Sequence, residues 1–77
     1  MSQCAYILLN VNPGMLEKVK EGLSKIEKVR EVHPVYGIYD LIVKIEFESM
    51  DELKNQILNN RVIIEGVKNS MTMICVD

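Results

Sequence analysis

Val35-Tyr36-Gly37-Ile38-Tyr39-Asp40-Leu41-Ile42-Val43-Lys44-Ile45-Glu46 is the stretch on which the reading of this chain turns. It joins two strand-like runs through a glycine, an aromatic and an acid. Gly37 permits a backbone bend with positive φ that other residues resist. Asp40 stands where an apolar run begins, a costly place for a carboxylate unless a neighbour hydrogen-bonds it. From there Leu41, Val43, Ile45 and Phe47 alternate with Ile42, Lys44 and Glu46, the period-two pattern of a strand with one strongly apolar face. Turns held on a rigid scaffold concentrate ligand contacts, so this junction is the first candidate site.

Outward from the junction, the two halves of the chain echo each other at a spacing of about 35 residues: Met15 with Met50, Glu17 with Glu52, Leu23 with Leu58, Val29 with Ile64, and Val32 with Val67. Each half reads strand, helix, strand. The expected strands cover 3–11, 30–36, 40–48 and 66–76, and the helices 15–27 and 50–60. Asn12-Pro13-Gly14 turns the first strand into the first helix. Leu16, Val19, Leu23 and Ile26 mark that helix's apolar face. Ser49-Met50-Asp51-Glu52 is a capping box opening the second helix, whose apolar face is Met50, Leu53 and Ile57.

Two right-handed βαβ units joined by a turn predict an α+β, ferredoxin-like βαββαβ fold, a four-stranded antiparallel sheet with both helices on one face. The strand order 4-1-3-2 places the strand carrying Pro34 at an edge, where a missing ladder donor is tolerated. The other face of the sheet has no cover from these helices. Pairing with a second copy through the sheet, as in a dimeric α+β barrel, is therefore expected.

Composition limits the function. The chain has 77 residues and is read as one domain, 1–77. A domain of this size buries only ~60% of its unfolded surface. An apolar fraction of 48% exceeds what one thin core needs, which points to contacts between copies. Nine Lys and Arg against eleven Asp and Glu leave a net charge of −2, which argues against a phosphate-binding surface. No apolar run reaches the ~18 residues of a membrane span, and the N-terminus lacks the basic start of a signal peptide. A cytoplasmic location is expected. Cys4 and Cys75 form no C-x-x-C pair and are read as buried free thiols in a reducing compartment. Met15, Met50, Met71 and Met73 are read as core fillers.

No catalytic constellation, cofactor motif or metal set emerges. His33 precedes a proline on an edge strand with no nucleophile nearby in sequence. Glycines 14, 22, 37 and 66 make neither a phosphate loop nor a dinucleotide fingerprint. Two polar sets remain: the turn with Gly37, Tyr39 and Asp40, and the hydroxyls of Ser70 and Thr72 on the last strand. Turn amides and hydroxyls suit a carboxylate and Asp40 suits an ammonium, a combination fitting a zwitterion such as a free amino acid.

The joint pattern resembles the effector domain (RAM domain) of the leucine-responsive regulator (Lrp/AsnC) family. It is carried by Val29, Glu31, Val35, Gly37, Tyr39 and Asp40, then by Gly66, Val67, Ser70, Thr72 and Ile74, and it spans essentially the whole chain. Ile38 stands where that family often has an acidic or polar residue, and Tyr36 where a small hydroxyl residue is common. Members usually carry a DNA-binding helix-turn-helix ahead of this domain. Here Met1 is followed directly by the first strand, so a stand-alone form is expected.

The resemblance implies a non-enzymatic regulatory module that dimerises through its sheet and assembles further into tetramers or octamers. It also implies amino-acid binding between dimers at Val35, Gly37, Ile38, Tyr39, Asp40, Ser70 and Thr72. Co-assembly with full-length regulators of transcription would follow, with no direct nucleic-acid contact. Two other readings stay open. One is a small dimeric enzyme of the monooxygenase or isomerase type, drawing on His33 or Tyr6; the other is an assembly adaptor without a ligand.

Overall fold

Four strands and three short helical segments make up the computed structural model, which describes residues 3–76; Met1, Ser2, Asp77 and the side chains of Leu58 and Val62 lie outside that description. In chain order the elements are β1 (Gln3–Val11), α1 (Leu16–Ser24), β2 (Val29–Pro34), β3 (Leu41–Phe47), α2 (Met50–Leu53) running into a π-helical turn (Lys54–Leu58), α3 (Arg61–Gly66) and β4 (Val67–Ile74). The sheet order is β2-β3-β1-β4 and every pairing is antiparallel. This is the ferredoxin-like arrangement, with β2 and Pro34 on an edge as its missing donor requires.

One face of the sheet holds the core. Ala5, Ile7 and Leu9 of β1 and Leu41, Val43, Ile45 and Phe47 of β3 are almost wholly buried, together with Val19 and Leu23 of α1 and Leu53 and Ile57 of the second helical segment. Burying each larger apolar side chain is worth ~1.5–3 kcal/mol, so these alternating positions determine which face the helices cover. The Ser49 hydroxyl accepts from Glu52 N at 3.2 Å, as the capping pattern requires.

Between residues 58 and 67 the doubled plan breaks. The second helix ends in a π turn, closed by Asn59 N donating to Lys54 O at 3.0 Å, and a separate helix, α3, follows. The first half has only a short turn at the corresponding place. The extra segment brings Ile63 into the core and sets Gly66 against α1. A Cβ built on Gly66 would stand 2.5 Å from Val19 Cγ2, so this glycine is required by close approach.

Two expectations are overturned. Met50, Met71 and Met73 are about half exposed rather than core fillers, while Met15 packs at the core's margin. The register explains the β4 pair. Tyr6 pairs with Met73 and Leu8 with Met71, so these side chains share the sheet face opposite the helices. Cys4 and Cys75 are joined in a disulfide and are not free thiols. With Ala5 opposite Ile74, the next position in the antiparallel register sets Cys4 against Cys75, at a Cα–Cα distance of 5.4 Å that suits a bridge.

Candidate functional site: the Asp40 groove

The residues between β2 and β3 form a reversal stitched to β1. Val35 N donates to Asp40 O at 2.9 Å and closes the hairpin, while Asp40 N donates to Leu9 O at 2.8 Å. Gly37 has φ +148°, a backbone state open essentially to glycine alone. The β1–β3 register ends at Leu9 opposite Leu41, but β1 continues to Val11. The Val11 N–H has thereby lost its strand partner, and Asp40 Oδ2 accepts from it at 2.9 Å. This bond accounts for a carboxylate at the head of an apolar strand. A carboxylate offers about four acceptor positions, so capacity remains for a ligand.

A groove of about 410 Å³ lies between this reversal and the β1–α1 loop. Its walls are mostly apolar: Val11, Pro13 and Leu16 on one side, Pro34, Val35 and Tyr36 on the other. Asn12, Gly14 and Asp40 complete it, and Asp40 is the one charged residue in the lining. The loop side is anchored from behind, because Asn12 N donates to Gly66 O at 2.8 Å and Asn12 Nδ2 to Glu65 O at 3.1 Å. At the tip, Tyr36 is fully exposed and Ile38 is 86% exposed, an unusual display of two large side chains on either side of Gly37.

The structure groups the sequence-derived candidates unevenly. Val35 and Asp40 line the groove, with Gly37 and Ile38 on the reversal beside it. Tyr39 reaches the other way, its hydroxyl 3.9 Å from Met71 Sδ on the outer face of the sheet. Ser70 and Thr72 pair with Leu9 and Ile7, on the helix side of edge strand β4. Thr72 lines a separate small cleft with Ile7, Met50, Leu53, Lys54 and Ile57. Within one copy, the two hydroxyls do not meet Asp40. The Asn12-Pro13-Gly14 loop and Tyr36 enter the site unannounced. The signal for the loop lay in the strand order, which sets the end of β1 beside the start of β3.

On the outer face, His33 Nε2 lies 3.0 Å from Glu31 Oε1 and Lys44 Nζ 3.9 Å from Glu31 Oε2. The His33 hydrogen bond, with help from the Lys44 charge, holds the Glu31 carboxyl below its usual value of 4.5. Lys44 also sits over the Tyr6 ring, 5.9 Å from its centroid. Among the described residues, no three His, Cys, Asp or Glu side chains gather as a metal site, and no helix is long and apolar enough to cross a membrane.

Residues 4–77 match the family model of the Lrp/AsnC ligand binding domain. The HTH-type transcriptional regulator FL11 of Pyrococcus abyssi is 38% identical over 73 residues, covering 95% of this chain and 48% of the regulator. The chain thus spans about half the length of the curated relatives it matches. Among solved structures, FFRP-DM1 superimposes with a TM-score of 0.87 at 32% identity, over 96% of this chain and 99% of that one. The transcriptional regulator NMB0573 of Neisseria meningitidis, in complex with L-Met, shares the fold at TM-score 0.86 and 16% identity, over 97% of this chain and 50% of that one.

Proposed function

The chain belongs to the Lrp/AsnC ligand binding domain family, and from that premise we propose that it is a non-enzymatic regulatory module that binds a free amino acid between copies of itself. The observation that carries this reading is Asp40: a carboxylate held by the Val11 N–H, and the one charged residue in a mostly apolar groove. It would take the ligand's ammonium, with the apolar walls against its side chain. Gly37 and Ile38 lie on the reversal outside the groove lining, and their amides would meet the ligand only at its open edge. Ser70 and Thr72 sit apart from Asp40 in one copy, so their hydroxyls would come from a neighbouring copy and receive the ligand's carboxylate. The site is then complete only in an assembly, and the ligand shifts assembly by the difference in its affinity for the two states.

Pairing would use the outer sheet face, where Tyr6, Met71 and Met73 are 40–49% exposed. The tip carrying Tyr36, Ile38 and Tyr39 would join further contacts between dimers. Relatives named as HTH-type transcriptional regulators share this domain, so we infer co-assembly with such full-length regulators as the route to transcription, within the cytoplasm.

Calorimetry with each proteinogenic amino acid tests the reading. Asp40→Ala should weaken the best ligand by roughly 10- to 100-fold, the worth of a hydrogen bond to a charged group. Thr72→Val should weaken it in assembled protein. Identical heats for wild type and both variants would overturn the site.

A further inference from the structure

We propose that the Cys4–Cys75 bridge is a thiol–disulfide exchange site whose redox state controls pairing through the sheet face. The proposal rests on the sheet-face pairing set out above. Four observations support it. β4 is an edge strand that pairs only with β1, and its last ladder residue is Ile74. Beyond that point Cys75 N donates to Cys4 O at 2.9 Å, and the disulfide closes the same pair of residues. Cys4 alternates with buried Ala5, Ile7 and Leu9, so the bridge stands on the outer face beside Tyr6 and Met73. Both cysteines are only partly buried, so the bridge is not sealed inside the core.

The exchange is a two-electron reduction by a dithiol. A thiolate of the reductant attacks one bridge sulfur, forming a mixed disulfide and releasing the other cysteine as a thiolate. The reductant's second thiol then closes on the mixed disulfide. The chain gains two thiols, and the dithiol leaves as a cyclic disulfide. Once the bridge is open, Cys75 is held to β1 by one backbone hydrogen bond beyond the ladder, and fraying that starts there and runs back along this edge strand disorders the part of the face that Met73 contributes. Two or three freed residues must be ordered again on pairing, which would weaken it on the order of tenfold or more. Pairing in turn shields the bridge, so reduction should slow as protein concentration rises.

The test uses sedimentation equilibrium on the intact chain, with and without dithiothreitol, and mass spectrometry to count thiols. Reduction without denaturant is expected to add two hydrogens, leave the far-UV dichroism folded, and raise the dimer dissociation constant about tenfold or more. Cys4→Ser/Cys75→Ser should match the reduced protein and ignore dithiothreitol. A bridge that resists reduction in the folded protein overturns the proposal, as does a reduced chain that unfolds outright. An unchanged dissociation constant overturns it while leaving sheet-face pairing intact. A monomer in both redox states overturns the pairing as well.

Discussion

The two ends of β1 are closed in opposite ways. At Cys4 the strand is joined to the end of β4 by a covalent bridge and a backbone hydrogen bond. At Val11 it is met by a side-chain carboxylate, and the space beyond is a groove. The first end brings together residues separated by 71 positions and limits the unfolded chain. The second replaces a ladder partner with Asp40, which leaves a fixed charge facing an apolar cavity. In a domain this small, a covalent closure stands at one end of the sheet and the candidate site at the other.

The largest expected effect tests the closed end. Opening a loop of this length removes about 4 kcal/mol of stabilisation in the chain-entropy account. For a domain of this size that lowers the melting temperature by roughly 15–30 °C. Calorimetric scans of Cys4→Ser/Cys75→Ser against wild type measure it. A shift of a few degrees would mean that the unfolded chain is already compact at its ends.

Behind the open end, Gly66→Ala places a methyl against Val19, a fully buried side chain. The overpacking should cost roughly 1–3 kcal/mol in urea unfolding. Because Gly66 O holds Asn12 N, the groove should loosen with it and ligand affinity should fall in the same variant. Loss of stability with unchanged affinity would separate the groove from its support.

Asp40→Ala should cost only about 1 kcal/mol, since water can reach the Val11 N–H that it abandons. Its effect on binding should be far larger than its effect on unfolding. That ratio is the clearest contrast with the cysteine variant, which should change unfolding most. Comparable losses in both measurements would make Asp40 a structural residue.

The smallest effect concerns pH. The Glu31 carboxyl is held below 4.5 by His33 and then Lys44, so its folded pKa is depressed relative to the unfolded chain. Its stabilising contribution is therefore present above 4.5 and is lost as pH falls through the lower folded value. Glu31 is exposed and screened, so Glu31→Gln should remove only a slight part of the acid-induced loss of melting temperature. A large change would place the Glu31–His33–Lys44 cluster in an interface between copies.

Much of the architecture was legible without coordinates, because its signals are local. The alternation in 41–47, the helical spacing of Leu16, Val19 and Leu23, the Ser49 cap and the Gly37 bend each depend on a few neighbouring residues. Together they determined the strand order and the buried face, including Pro34 on an edge. What the tertiary structure decided depends on pairings between distant residues. Cys4 meets Cys75 because β1 and β4 are antiparallel neighbours in one register, and that register also turns Met71 and Met73 to the uncovered face. Asp40 meets Val11 because β1 outruns β3, and the Asn12-Pro13-Gly14 loop becomes a groove wall only through that overhang. α3 was hidden by a break in the repeat, where Ile63 found the core by tertiary packing. Periodicity reports which face of an element is buried; only the relative placement of elements settles which residues meet.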